Sequence, residues 1–201
     1  MRRRFAGWLL AAFASGAAPA WAAPTADLAV ARDGSRFTVR AVGTVPADLH
    51  LAWATIVDYD AMARFVPGLQ RARVLAREDE RRTVEFVGNA DGFLLDRVVR
   101  MRLAIDHAPP YRVDSRLLPD WVDGAPPSLA AYRGYYVLTA VPIDGRPGVR
   151  LEYGAELEVG AGESPLLLAL LGSWSLHSSV RGQFEALLAE IERRQKAASG
   201  K

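Results

Sequence analysis

The residues able to do chemistry are few and scattered. His50, His107 and His177 are the only histidines, and no two share the short spacing that metal ligands on one element need. Serines, histidines and acids all occur, yet Gly172 to Ser175 is not G-x-S-x-G, and Gly160 to Ser164 does not lead from a strand into a nucleophile elbow. Asp58 and Asp60 sit between two short helical segments, where capping and turn roles suit them better than a catalytic pair. No glycine-rich loop cradles a phosphate, so no cofactor and no metal is expected. Arg97 is the sharpest candidate: it either orients a carboxylate, phosphate or carbonyl head, or lays its stem on the sheet and sends its head to solvent or to Asp96 or Glu85. Tyr153 and His177 join it as first choices for moving protons if the chain is an enzyme.

These residues need positioning elements, and the first segment of the chain is not one of them. Arg2-Arg3-Arg4 precedes the apolar run Phe5 to Ala18, which is short for a membrane span, and Ala20-Trp21-Ala22 supplies an A-x-A site. Residues 1–22 are therefore expected to be a signal peptide of the general secretory type, cleaved before Ala23 to leave a periplasmic protein. The chain has no cysteine, which excludes a lipoprotein and disulfides alike. The 25 Lys and Arg against 23 Asp and Glu give +2, but three of those arginines lie in the leader, so the remainder carries about −1. No global field favours nucleic acid.

Residues 23–35 are small and polar and are expected to fray. Arg36 to Val45 alternates as an opening strand, with Phe37, Val39, Ala41 and Gly43 on one face. Asp48 caps a helix to about Val57, and Tyr59 to Phe65 makes a second, ended before Pro67-Gly68. Six strand-like segments follow, roughly 69–77, 82–89, 93–107, 111–118, 130–141 and 149–159, with a Pro-rich loop at 119–129. Short connections make neighbouring strands antiparallel. A long helix closes the chain, opened by Ser164 and Pro165, with Leu167, Leu171, Trp174, Ser178, Arg181, Phe184, Leu188 and Ile191 on one stripe. Residues 36–195 form one domain, and 196–201 a disordered tail.

Three stretches carry a family likeness: Val45-Pro46-Ala47-Asp48 with Ala52-Trp53, then Val57-Asp58-Tyr59-Asp60, then Phe65-Val66-Pro67-Gly68-Leu69. With Gly134-Tyr135-Tyr136-Val137-Leu138 and Leu151-Glu152-Tyr153, they resemble the polyketide cyclase and coenzyme Q-binding branch of the START/Bet v 1-like (SRPBCC) superfamily. The resemblance implies an α+β helix-grip fold, a curved antiparallel sheet of about seven strands around the C-terminal helix. It also implies a cavity between sheet and helix.

Strand parity names the lining: Phe93, Leu95, Arg97, Val99 and Met101 on one strand, Tyr111, Val113 and Ser115 on the next, then Tyr136, Leu151 and Tyr153. The helix adds Leu171, Trp174, His177 and Ser178, and Trp121 either covers the mouth, touches a membrane or packs its loop on the sheet. Burying about 300–400 Å² of hydrocarbon in such a space is worth about 8–10 kcal/mol before association costs. The expected function is binding of a hydrophobic small molecule such as a lipid, isoprenoid or fatty-acyl compound. A cyclase or aromatase, and a protein-interaction module, stand as alternatives.

Overall fold

A computed structural model describes residues 26–90, 97–120, 122–125, 127–159 and 173–200. Residues 1–25, which include the expected signal peptide, and residues 91–96 and 160–172 lie outside it, and so do Trp121, Phe93, Leu95 and Leu171. The described elements are β1 (Ala26–Asp33), β2 (Arg36–Val45), α1 (Leu49–Ile56), α2 (Tyr59–Met62), β3 (Leu69–Glu78), β4 (Arg81–Ala90), β5 (Arg97–Ala108), β6 (Arg112–Leu118), β7 (Leu129–Ile143), β8 (Arg146–Val159) and α3 (Ser173–Ser199). The eight strands form one antiparallel sheet in the order β1-β2-β8-β7-β6-β5-β4-β3. β2 and β8 pair although most of the chain separates them, so the domain closes through its two ends.

Local chemistry accounts for the hairpins and helix starts. Asp144 and Gly145, with φ of 48° and 73°, make a two-residue turn between the paired Ile143 and Arg146. Positive φ at both central positions matches the twist of the flanking strands, which is why Asp-Gly stands there. The Asp48 carboxylate accepts hydrogen bonds from the His50 and Leu51 amides at 2.8 and 3.2 Å and starts α1. Gly88 lets the α2–β3 connection lie against β4, since a Cβ there would stand 2.6 Å from the Gly68 carbonyl oxygen.

The sheet differs from expectation at its first edge. Ala26–Asp33, expected to fray, forms β1 and pairs with β2 along its full length. Ala26, Leu28 and Val30 alternate with exposed Asp27, Ala29 and Ala31, a half-buried pattern that weak side chains disguise. Arg181 of α3 donates to the Ala26 carbonyl oxygen at 3.4 Å. The expected disordered tail also differs, because α3 continues to Ser199. Lys196 pairs with Glu192 one turn earlier at 2.6 Å and supports that extension.

The core sits at one end of the space between α3 and the sheet. Phe184, Leu187, Leu188 and Ile191 of α3 pack with Ala41, Val45, Leu138, Val149 and Leu151 of the sheet and Ala52 and Ile56 of α1, all buried. Polar ties hold this end together: Arg194 reaches Asp58 at 3.0 Å, and the Asp48 amide donates to the Gln195 side chain at 2.9 Å.

The loop after β6 goes the other way. Asp120 pairs with Arg102 at 3.6 Å and Asp123 with Arg71 at 2.8 Å, on the face of the sheet turned away from α3. Val122 between them is fully buried. The described part of this loop therefore covers the outer face and not the mouth of an inner cavity. Beneath it lies Glu85, 3% exposed, held by Arg102 at 2.9 Å, Arg71 at 3.1 Å and Arg73 at 3.9 Å. Glu85 is thus a partner of these three arginines.

Candidate functional site

Towards the start of α3 the two layers separate. A cavity of about 430 Å³ opens between them. Its floor is the concave face of the sheet. Val99, Met101, Leu103 and Ile105 of β5 and Val113 and Ser115 of β6 point in, as do Tyr132 and Tyr136 of β7, Tyr153 and Leu157 of β8, and Phe37 of β2. These positions alternate along each strand, so one face lines the hollow and the other meets solvent. The roof is Leu176, Ser179, Val180, Gln183 and Leu187 of α3. Met62, Val66, Gly68, Leu69 and Asn89 line the end beneath α2.

The lining is apolar apart from hydroxyl and amide groups. Among its described residues none carries a charge at neutral pH. Burial pushes the Tyr136 and Tyr153 phenols well up, with smaller contributions from neighbouring tyrosines, so both stay protonated. The two rings stack at 4.9 Å, tilted by 32°. The Tyr132 and Tyr153 hydroxyls lie 3.5 Å apart, and Ser115 Oγ donates to the Gly134 carbonyl oxygen at 3.1 Å.

A second polar group closes the α2 end. The Tyr59 hydroxyl lies 2.7 Å from His107 Nε2, and His107 meets the Trp53 ring edge-on at 5.6 Å. Burial raises the Tyr59 phenol, while burial and then the charge of Arg82 lower His107. The neutral imidazole and the phenol share this hydrogen bond, and the imidazole tautomer sets which of them donates. With its folded pKa below the unfolded value of 6.5, His107 takes up its proton more readily in the unfolded chain. Its contribution to stability is present above pH 6.5 and is lost as pH falls from there toward the folded pKa. Chemical denaturation between pH 7.5 and 5 is expected to show this slope, and His107→Gln to flatten it.

The expected lining residues fall into groups. Val99, Met101, Val113, Ser115, Tyr136 and Tyr153 converge on the cavity. Leu151 is fully buried in the packed core at the other end. Tyr111 is corrected: it is 57% exposed in the turn before β6, because β6 begins only at Arg112 and the inward row starts at Val113. The described helix residues among them, His177 and Ser178, are out of phase. Ser178 is exposed and half-buried His177 is not part of the lining, while Leu176, Ser179, Val180 and Gln183 face the hollow. The Arg97 backbone pairs with Ala90, but the side chains of Arg97 and Trp174 lie outside the described residues. Tyr132, which is not among the expected lining residues, joins them and shares parity with Tyr136. The alternation from Tyr132 through Gly134 to Tyr136 was the signal that could have found it.

Among the described residues no group of three His, Asp or Glu is placed to hold a metal ion, and no helix is long and apolar enough to cross a membrane. A larger hollow, about 690 Å³, lies on the outer face, lined by Arg36, Arg40, Arg112, Arg116, Arg133 and acids such as Asp114 and Glu158. It is an open groove of exposed charges, several already paired, as Arg112 is with Asp114 at 2.6 Å. The largely apolar, uncharged hollow between sheet and α3 has the character of a small-molecule site.

A curved antiparallel sheet gripping a C-terminal helix, with two short helices after the strand that pairs with the last one, is the START-like helix-grip fold. Solved structures share it. An aromatase/cyclase from Streptomyces sp. R1128, named ZhuI, superposes with a TM-score of 0.63 at 19% identity, covering 81% of this chain and 98% of that one. A START superfamily protein from Mycobacterium smegmatis gives 0.59 at 14% identity, over 78% and 97%. A STAR-related lipid transfer protein from Xanthomonas axonopodis gives 0.55 at 16%, over 82% and 98%. More particularly, residues 45–103 match the family model described as polyketide cyclase / dehydrase and lipid transport. Comparison with curated proteins finds no significant match.

Proposed function

We propose that this chain is an exported START-like protein that binds a hydrophobic small molecule, a lipid, isoprenoid or fatty-acyl compound, in the cavity between sheet and α3, without reacting with it. One observation carries the reading: a hollow of about 430 Å³ between sheet and helix whose described lining is largely apolar and uncharged. An apolar guest there exchanges water contact for packing against Met101, Leu103, Leu176 and Val180. The fold shared with a lipid transfer protein is consistent with it. The cyclase alternative needs a group that moves protons near neutral pH. Tyr153 is held protonated by burial, and His177 stands off the lining, so two of the three first choices are poorly suited. For the interaction alternative, the exposed large hydrophobics among the described residues are Leu75 and Tyr111, on β3 and in the β5–β6 turn.

Export rests on the leader: Arg2-Arg3-Arg4, the apolar run Phe5 to Ala18, and Ala20-Trp21-Ala22. The test is to express the full chain in its bacterial host, fractionate the cells and analyse the protein by native mass spectrometry and organic extraction. The expected result is periplasmic protein beginning at Ala23 with a co-purifying apolar compound. Protein that keeps Met1 in the cytoplasm overturns export, and a cavity that stays empty against a lipid and quinone panel overturns ligand binding.

A further inference from the structure

The tyrosines on the cavity floor have more hydrogen-bonding capacity than the protein uses. Tyr132 and Tyr153 face each other at 3.5 Å, so at most one of their two hydroxyl protons is engaged. Among the described residues the Tyr136 hydroxyl has no partner, although its ring is fixed against Tyr153. Ser115 cannot serve them as a donor, because its proton goes to the Gly134 carbonyl. Two O–H groups are thus left to point into a space otherwise walled by hydrocarbon. An unmatched donor in such surroundings is costly, and an oxygen acceptor on the guest removes that cost.

Gly134 is part of the arrangement. A Cβ there would collide with the hydroxyl and the adjacent ring carbon of Tyr132, so the glycine lets the phenol lie along the sheet toward Tyr153. The described lining offers no cation to balance an anionic head. A desolvated carboxylate without a counter-charge is much more expensive than a carbonyl, which needs only donors.

We propose that the hydroxyls of Tyr132, Tyr136 and Tyr153 form a donor site for the carbonyl oxygen of an uncharged guest, so that the cavity favours neutral carbonyl-bearing molecules over carboxylates and plain hydrocarbons of equal length. The proposal rests on the cavity-binding reading above and names the chemistry of its ligand. About 430 Å³ holds on the order of 14 to 20 non-hydrogen atoms, taking a water's share of volume as the upper size per atom.

The test uses three probes of 13 or 14 such atoms (roughly the lower bound): 2-tridecanone, tridecane and dodecanoate, measured with the mature protein at pH 8. 2-Tridecanone is expected to bind about tenfold tighter than tridecane and tighter than dodecanoate. Its carbonyl stretch should move to lower frequency in the complex. The combined variant Tyr132→Phe, Tyr136→Phe and Tyr153→Phe removes every hydroxyl of the site and should bring the ketone to the level of tridecane, leave tridecane unchanged and abolish the shift. Should that variant not fold, the carbonyl shift and probe ranking of the unaltered protein decide alone. Equal binding of ketone and alkane with an unshifted carbonyl overturns the donor site and leaves the carrier reading standing, as does tightest binding by dodecanoate. Failure of all three probes to bind overturns both.

Discussion

Ser179→Trp is expected to reduce binding of apolar ligands by at least about 100-fold while the protein stays folded. Ser179 lies on the stripe of α3 that roofs the cavity, beside Leu176, Val180 and Gln183. An indole carries roughly 150–250 Å² of surface to bury, and from Ser179 it enters the space a guest would occupy. Filling a hollow removes missing contacts, so the thermal midpoint should hold or rise. Ser178→Trp, one position earlier and exposed, places the same ring in solvent and should bind as the unaltered protein does. Displacement of a fluorescent apolar dye measures both. Undiminished binding by Ser179→Trp would show that ligands bind elsewhere.

Glu85→Ala is expected to cost about 3 kcal/mol of stability, an unfolding midpoint lower by roughly 6–12 °C. Glu85 is almost wholly buried on the outer face, and it is the shared partner of Arg102, Arg71 and Arg73. The loss falls mainly on Arg102, whose side chain is 23% exposed and whose Nε already lacks a partner. Without Glu85, Arg102 keeps only Asp120 at 3.6 Å. The more exposed Arg71 retains Asp123 and regains water, which places the cost at the lower end for a broken buried pair. Glu85→Val with Arg102→Leu removes both charges and should recover most of the loss. Calorimetry that finds Glu85→Ala within 1 kcal/mol of the unaltered protein would refute the structural importance of the cluster. Apolar ligand binding should persist in the folded fraction, because the cluster lies on the far side of the sheet.

Features governed by near neighbours were legible in the chain. Val99, Met101, Val113, Ser115, Tyr136 and Tyr153 could be assigned to one face by alternation alone, because a strand's side-chain period is fixed by its backbone. Asp48 at the start of α1 and Asp144-Gly145 between β7 and β8 announce themselves by residue type. Less legible was β1, where Ala26, Ala29 and Ala31 give little contrast between faces and pairing with β2 supplies the order. The helix phase slipped for a different reason. Ser178 and Arg181 extend the stripe of Phe184 and Leu188 on paper, but a helix with a mixed polar surface is turned by the sheet it meets. Ser179 and Gln183 face the cavity, and Ser178 does not.

The amino-acid sequence alone determined most of the strands and helices, which face of those strands is apolar, and that no disulfide can brace them. Tertiary structure decided how far α3 stands from the sheet at each end: packed solid around Leu188 and Ile191, open around Leu176 and Val180. It also sent the loop after β6 to the outer face and gathered Glu85 with Arg71 and Arg102, residues from three strands. Periodicity is a property of near neighbours along a chain. The separation of two layers depends on sheet curvature and on every side chain between them, so inward-facing residues can be read locally while the hollow they enclose cannot.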